Sequence, residues 1–148
     1  MDLYRDFADL LAAFAKFEVR YLVIGGYAVA LHGRPRFTKD LDIWLAASPE
    51  NRQRATRALA EFGAPLHIFA SLANSGPDDV VWFGAPPLRI DLLQTVSGVT
   101  FEECWQNHVK MRLGETEVNV LALADLVASK LAAGRPQDLL DIAGLQAK

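Results

Sequence analysis

Residues 40–45, Asp40-Leu41-Asp42-Ile43-Trp44-Leu45, alternate an acid or an aromatic with an aliphatic residue. A period of two belongs to a β-strand, so Asp40, Asp42 and Trp44 fall on one face and Leu41, Ile43 and Leu45 on the other. Upstream, Tyr21-Leu22-Val23-Ile24 is a short β-prone run that stops at Gly25-Gly26, and Tyr27 to His32 reads as a helix ended by Gly33. Strand, glycine turn and helix therefore precede the acidic strand. Between them Arg34-Pro35-Arg36-Phe37-Thr38 must be extended, because proline lacks the N–H donor and restricts the residue before it. Downstream, Leu88-Arg89-Ile90-Asp91-Leu92 alternates in the same way and sets Asp91 on the face opposite Leu88 and Ile90.

The remaining chain supplies helices and edges. Leu3, Phe7, Leu10, Leu11, Phe14 and Phe17 recur at helical spacing. Ser48-Pro49-Glu50 caps a helix running to about Phe62 and closed by Gly63, with Asn51-Arg52-Gln53-Arg54 expected to face water. Residues 71–79 carry turn formers and are expected as a loop before a Val80–Phe83 strand, and Gly84-Ala85-Pro86-Pro87 as a turn. A helix over Glu102–His108, a hairpin around Gly114, and helices over Leu123–Ala133 and Pro136–Gln146 complete the pattern. Strands alternating with helices predict an α/β (α+β) fold in one domain spanning 1–148, with a core at about 20–120 and C-terminal helices at about 121–147.

Composition narrows the function. The 148 residues carry 15 Lys+Arg and 18 Asp+Glu, a net charge of −3, with 51% hydrophobic residues. That excludes a disordered chain and argues against nucleic-acid binding through overall positive charge. Cys104 has no partner for an internal disulfide, and the amino-terminal residues resemble no export signal, so a cytoplasmic location is expected. The most apolar stretch, Tyr21 to Ala30, is too short and too interrupted to span a membrane.

Three strand carboxylates, Asp40, Asp42 and Asp91, ask for a counter-charge. A hard cation such as Mg²⁺ takes oxygen ligands and is usually held by one or two carboxylates plus substrate phosphates. An Asp-x-Asp pair alone also fits a solvated edge strand, and a Gly-Gly alone also fits a tight turn. In sequence, however, Gly25-Gly26 offers unencumbered backbone N–H groups to an anion just before the acids.

The run Ile24-Gly25-Gly26-Tyr27-Ala28, then Leu31-His32-Gly33, Arg36, Thr38 and Asp40-Leu41-Asp42-Ile43, resembles the signature of the DNA polymerase beta-like nucleotidyltransferase superfamily. Leu88 to Leu93 matches the later strand of that signature. Lys130-Leu131-Ala132-Ala133-Gly134-Arg135-Pro136-Gln137-Asp138-Leu139-Leu140-Asp141-Ile142 resembles a segment of small prokaryotic members related to abortive-infection toxins of type IV toxin–antitoxin systems.

The resemblance implies a small mixed β-sheet flanked by helices with a short helical tail. It also implies transfer of a nucleoside monophosphate from an NTP to an acceptor hydroxyl on RNA or protein, with a cognate antitoxin as candidate partner. By position, Asp40 and Asp42 would ligate Mg²⁺, as two ions with Mn²⁺ as a substitute, and Asp91 would complete the metal site or accept the hydroxyl proton. Gly25, Gly26, Arg36, Thr38 and Lys130 would contact nucleotide phosphates. Gln137 stands where relatives often carry Lys. Two alternatives follow: a catalytically weak binding module acting through a partner, and a nucleotidyltransferase acting on a small molecule such as an antibiotic. Asp138 and Asp141 read as a solvated face or an ion pair, the three histidines and Cys104 as structural, and Trp44, on the carboxylate face, as the tryptophan placed to stack a base.

Overall fold

The computed structural model describes residues 3–33, 40–84 and 89–146. Helix α1 (Leu3–Lys16) leads into β1 (Tyr21–Ile24), α2 (Gly25–Leu31) and β2 (Asp40–Leu45). Helices α3 (Pro49–Phe62) and α4 (His67–Ala73) precede β3 (Val81–Phe83) and β4 (Arg89–Leu93). Then come α5 (Phe101–Asn107), the hairpin β5 (Val109–Leu113) and β6 (Thr116–Val120), and helices α6 (Leu123–Ala133) and α7 (Pro136–Gln146). The strands form one mixed sheet in the order β3-β4-β2-β1-β6-β5, a mixed α/β architecture as expected.

Strand β2 lies between β1, to which it is antiparallel, and β4, to which it is parallel. Its aliphatic face does what alternation requires: Leu41, Ile43 and Leu45 are fully buried. They share the core with Phe7, Leu10, Leu11 and Phe14 of α1, the apolar stripe that packs on α3 and β6. The opposite face grades from exposed Asp40 through half-buried Asp42 to buried Trp44. The indole packs edge-on against Phe101 of α5, ring centroids 5.3 Å apart. Trp44 is therefore a core residue and not a platform for a base, because α5 covers that end of the face. Among the described residues, the end where β1 stops and β2 and β4 begin lies under a cleft.

Helix α3 starts where Ser48 Oγ accepts the Asn51 N–H at 3.2 Å, and ends at Gly63 in the left-handed region with φ 94°. Asn51 does not face water. It is buried, accepts the Arg20 N–H at 2.7 Å and donates to the carbonyls of Arg20 at 3.0 Å and Ala46 at 2.9 Å. One side chain thus satisfies the backbone entering β1 and the backbone leaving β2, so it sets how those strands meet α3. Two further expectations need revision. Residues 71–73 belong to α4 rather than to a loop. Helix α2 begins at Gly25 itself, with no separate glycine turn. The expected extended segment at 34–38, and residues 85–88 of the expected turn and strand start, lie outside the described residues.

Replacing Asn51 with Ala would leave the Arg20 N–H and the buried Ala46 carbonyl without this partner, while the Arg20 carbonyl keeps the Ala46 N–H at 3.2 Å. Asn51→Ala should lower the unfolding free energy by roughly 2–4 kcal/mol, read as a lower denaturant midpoint at unchanged slope.

Candidate active site

The register of the central strands decides which carboxylates meet. Asp42 pairs with Asp91 across the parallel β2–β4 ladder and with Ile24 across the antiparallel β1–β2 ladder. Parallel partners share a face, so the two acids stand side by side, and Gly25 follows directly at the end of β1. Gly25 has φ +67°, a backbone conformation that side-chain-bearing residues rarely adopt, and a Cβ there would come 2.2 Å from Asp42 Oδ2. Glycine is required at position 25 by both the backbone and the carboxylate resting on it.

This crowding has an electrostatic consequence. Burial, the neighbouring Asp91 charge, a hydrogen bond shared with Asp91 and the Asp40 charge together push the Asp42 carboxyl up to about 7, with Lys130 acting in the opposite direction. On the other side Arg89 Nε donates to Asp91 Oδ1 at 2.7 Å, and the Arg89 guanidinium lies 4.4 Å from the centre of the Trp82 ring. Trp82 is paired with Asp91 in the β3–β4 ladder. From β1 to β3 the site face therefore reads Gly25, Asp42, Asp91, Trp82.

A cleft of about 500 Å³ opens over Gly25, Asp42 and Asp91, and its far wall is built from Leu126, Ser129 and Lys130 of α6 with Arg135 and Asp138 at the start of α7. Lys130 is buried, its Nζ 3.2 Å from Asp138 Oδ1 and 3.0 Å from Asp141 Oδ2, both of them buried carboxylates. Gln137 Nε2 also donates to Asp141 at 3.0 Å. Arg135, whose side chain is 75% exposed, donates to Asp138 through Nε at 2.7 Å and Nη2 at 3.2 Å. Burial pushes Asp138 up, but the hydrogen bonds from Arg135 and Lys130 outweigh it and hold the carboxyl at about 2.

Of the residues singled out from sequence, Gly25, Asp42, Asp91 and Lys130 line this one cleft. Asp40 shares the face of Asp42 one step toward the strand start, and Gly26 is buried in the first turn of α2. Arg36 and Thr38 lie outside the described residues. Sequence reading missed Arg135, Ser129 and Trp82 as site residues, and it left Asp138 as a surface or ion-pair acid. The signal was present in α7, where the positions at core spacing, 138, 141, 142 and 145, include two acids. Cys104 is buried and its thiol is pushed up to about 12, chiefly by burial and secondly by Asp125, which fits a core role. His32 Nε2 lies 2.7 Å from the Leu121 carbonyl oxygen and ties α2 to the chain entering α6.

Among the described residues no group of three or more His, Cys, Asp or Glu side chains is gathered closely enough to hold a metal ion alone. What the site offers is a repelling carboxylate pair under an open cleft. That donor set fits Mg²⁺, which keeps few protein ligands and takes the rest from phosphates and water.

A family model described as "Nucleotidyltransferase of unknown function (DUF6036)" matches residues 2–146. Among solved structures, the lincosamide antibiotic adenylyltransferase LnuA, lincomycin-bound, superposes with a TM-score of 0.64 at 13% identity, covering 97% of this chain and 96% of that one. The antibiotic-resistance factor ANT(2'')-Ia also gives 0.64 at 14% identity, with 97% and 82% covered. A Thermotoga maritima protein assigned to the nucleotidyltransferases gives 0.61 at 15% identity, with 97% and 91% covered. No curated protein sequence matches the chain. No helix among the described residues is long and apolar enough to cross a membrane.

Two stability measurements probe the site. Between about pH 4 and about pH 7 the folded chain holds a proton on Asp42 that the unfolded chain has released, so stability of the metal-free protein should fall as pH rises through that window. Asp42→Asn should flatten the profile and stabilise the protein at pH 7 by on the order of 1–3 kcal/mol, as equilibrium denaturation across pH would show. Lys130→Met, which leaves two carboxylates buried without their ammonium, should cost roughly 3–5 kcal/mol in the same measurement.

Proposed function

Because the chain belongs to the DUF6036 family of nucleotidyltransferases, we propose that it transfers a nucleoside monophosphate from an NTP to an acceptor hydroxyl and releases pyrophosphate. The observation that carries this reading is the Asp42–Asp91 pair, set against Gly25 at the floor of a cleft whose opposite wall presents Lys130 and Arg135. Phosphoryl transfer needs positioning and charge neutralisation more than covalent help, and this arrangement supplies both.

Asp42 and Asp91, with Asp40 next along β2, would hold Mg²⁺, and the bound ion supplies charge neutralisation at the phosphates. The backbone N–H groups at the Gly25–Gly26 start of α2, beside the Asp42 carboxylate, would receive the phosphates. Arg135, exposed and beside the cleft, is the cation able to swing onto a triphosphate. Lys130 is locked between two carboxylates, so its charge goes to fixing the α6–α7 wall rather than to the phosphates. The acceptor oxygen forms a bond to the α-phosphorus as the bond from that phosphorus to its bridging oxygen breaks. The hydroxyl proton passes to Asp91, and pyrophosphate departs along the Arg135 side.

For the acceptor we favour a small hydroxylated molecule over RNA or protein. Among the described residues carboxylates dominate the floor of the site, which suits a polyanionic strand poorly. One of the solved neighbours is a lincosamide antibiotic adenylyltransferase and another an antibiotic-resistance factor. The toxin setting with a cognate antitoxin requires an RNA or protein acceptor and is decided by the same experiment.

The protein is incubated with α-labelled NTPs and Mg²⁺ in the presence of small hydroxylated compounds, RNA or protein. Label should move to the small-molecule acceptor, and Asp42→Asn or Asp91→Asn should slow transfer roughly 100-fold or more. Wild type no faster than Asp42→Asn would sink the catalytic reading. Calorimetry showing no NTP–Mg²⁺ association would favour the binding-module alternative.

A further inference from the structure

Strand β3 carries an anomaly: Val81 and Phe83 are buried, while Trp82 between them is 51% exposed. Its register partner is Asp91, whose own partner on the other side is Asp42, so the indole stands on the site face and continues the row of acids. Arg89 stacks over the ring, and half of the residue remains open to solvent. Beside it lies a second cavity of about 490 Å³, lined by His67 and Ser71 of α4 and by Asn74 just after it, together with Asp79, Val80 and Trp82. Val80 also lines the carboxylate cleft, so the two cavities meet at that residue.

Position and chemistry say what this cavity would hold. The sheet order places Gly25 and Trp82 on opposite sides of the Asp42–Asp91 pair. With phosphates on the Gly25 side, the attacking hydroxyl must arrive from the Trp82 side, next to Asp91. The side chains of His67, Ser71 and Asn74 enter no hydrogen bond among the described residues, and imidazole, hydroxyl and amide groups suit hydroxyls as donors and acceptors alike. Asp79 is its acidic member, and among the described residues no Lys or Arg lines the cavity. A nucleic-acid strand needs cations along its phosphates and is disfavoured here. A flat, half-open indole beside uncharged polar groups, in a space of small-molecule size, matches a ring with an apolar face and hydroxylated edges.

We propose that Trp82 and the cavity behind Val80 form the acceptor subsite, and that the acceptor is a small, non-anionic, hydroxylated ring compound of the glycoside type. The proposal rests on the nucleotidyl-transfer reading and assigns the second substrate's place within it. Trp82 is a specificity-determining residue here, outside the nucleotide half of the site.

The test separates the two halves. Wild type and Trp82→Ala are first titrated calorimetrically with a non-hydrolysable NTP analogue and Mg²⁺; association equal in both shows that the nucleotide half is intact. Absence of association in wild type would overturn the nucleotide reading itself. The loaded proteins are then titrated with a panel of neutral and amino-sugar glycosides and with a single-stranded oligoribonucleotide, followed by calorimetry. Saturable glycoside association weakened about tenfold or more in Trp82→Ala is the expected result. Association with the oligoribonucleotide alone, glycoside association that Trp82→Ala leaves unchanged, or no glycoside association up to the solubility limit would each overturn the proposal.

Discussion

Two carboxylates of like charge held side by side on neighbouring parallel strands are the constraint on which this site depends. Asp42 and Asp91 are opposed in the β2–β4 ladder, and Asp42 is pressed against the backbone of Gly25 from the other side. Strand register holds the two positions side by side, and burial first, then the Asp91 charge and the hydrogen bond shared with it, raise the Asp42 carboxyl. In the proposed reaction, Mg²⁺ and the nucleotide phosphates would offset this arrangement together. The same crowding explains why Gly25 has no substitute.

The far wall obeys the opposite rule, since its charges are satisfied internally. In α7, Asp138 and Asp141 are buried while Leu139 and Leu140 are exposed, an inversion of the usual helical pattern. Lys130 accounts for it: a buried ammonium from α6 needs carboxylates, and the helix turns its acids inward to meet it. Arg135 then anchors to Asp138 from the solvent side and hangs over the cleft. Gln137 joins the network through Asp141 rather than facing the cleft as a cation. The ion cluster therefore fixes the α6–α7 wall and leaves the Arg135 guanidinium exposed beside the cleft.

The elements were largely legible because each announces itself within a few residues. Alternation at 40–45 and 89–93 produced strands with their acids on one face, and the Ser48 cap and Gly63 bracket α3 as their side-chain and backbone chemistry demands. Errors came where a distant part of the chain decided the outcome. Trp44 lies on the carboxylate face as alternation requires, yet Phe101, far along the chain, closes over it. Asn51 follows a helix cap in a polar run, yet backbone groups of Arg20 and Ala46 draw it inside. Residues 71–73 carry too little periodicity to show that they extend α4.

Alternation, glycine placement and charge by themselves determined a mixed α/β chain carrying three strand acids behind a Gly-Gly step, because those signals act over one strand or one turn. That Asp42 meets Asp91, that Lys130 is locked between Asp138 and Asp141 rather than free in solvent, and that Trp82 stands beside the acids while Trp44 does not were decided only by the tertiary structure. Each depends on strand register or helix packing between segments far apart in the chain, and no local period encodes which residue of one strand lies opposite which residue of the next.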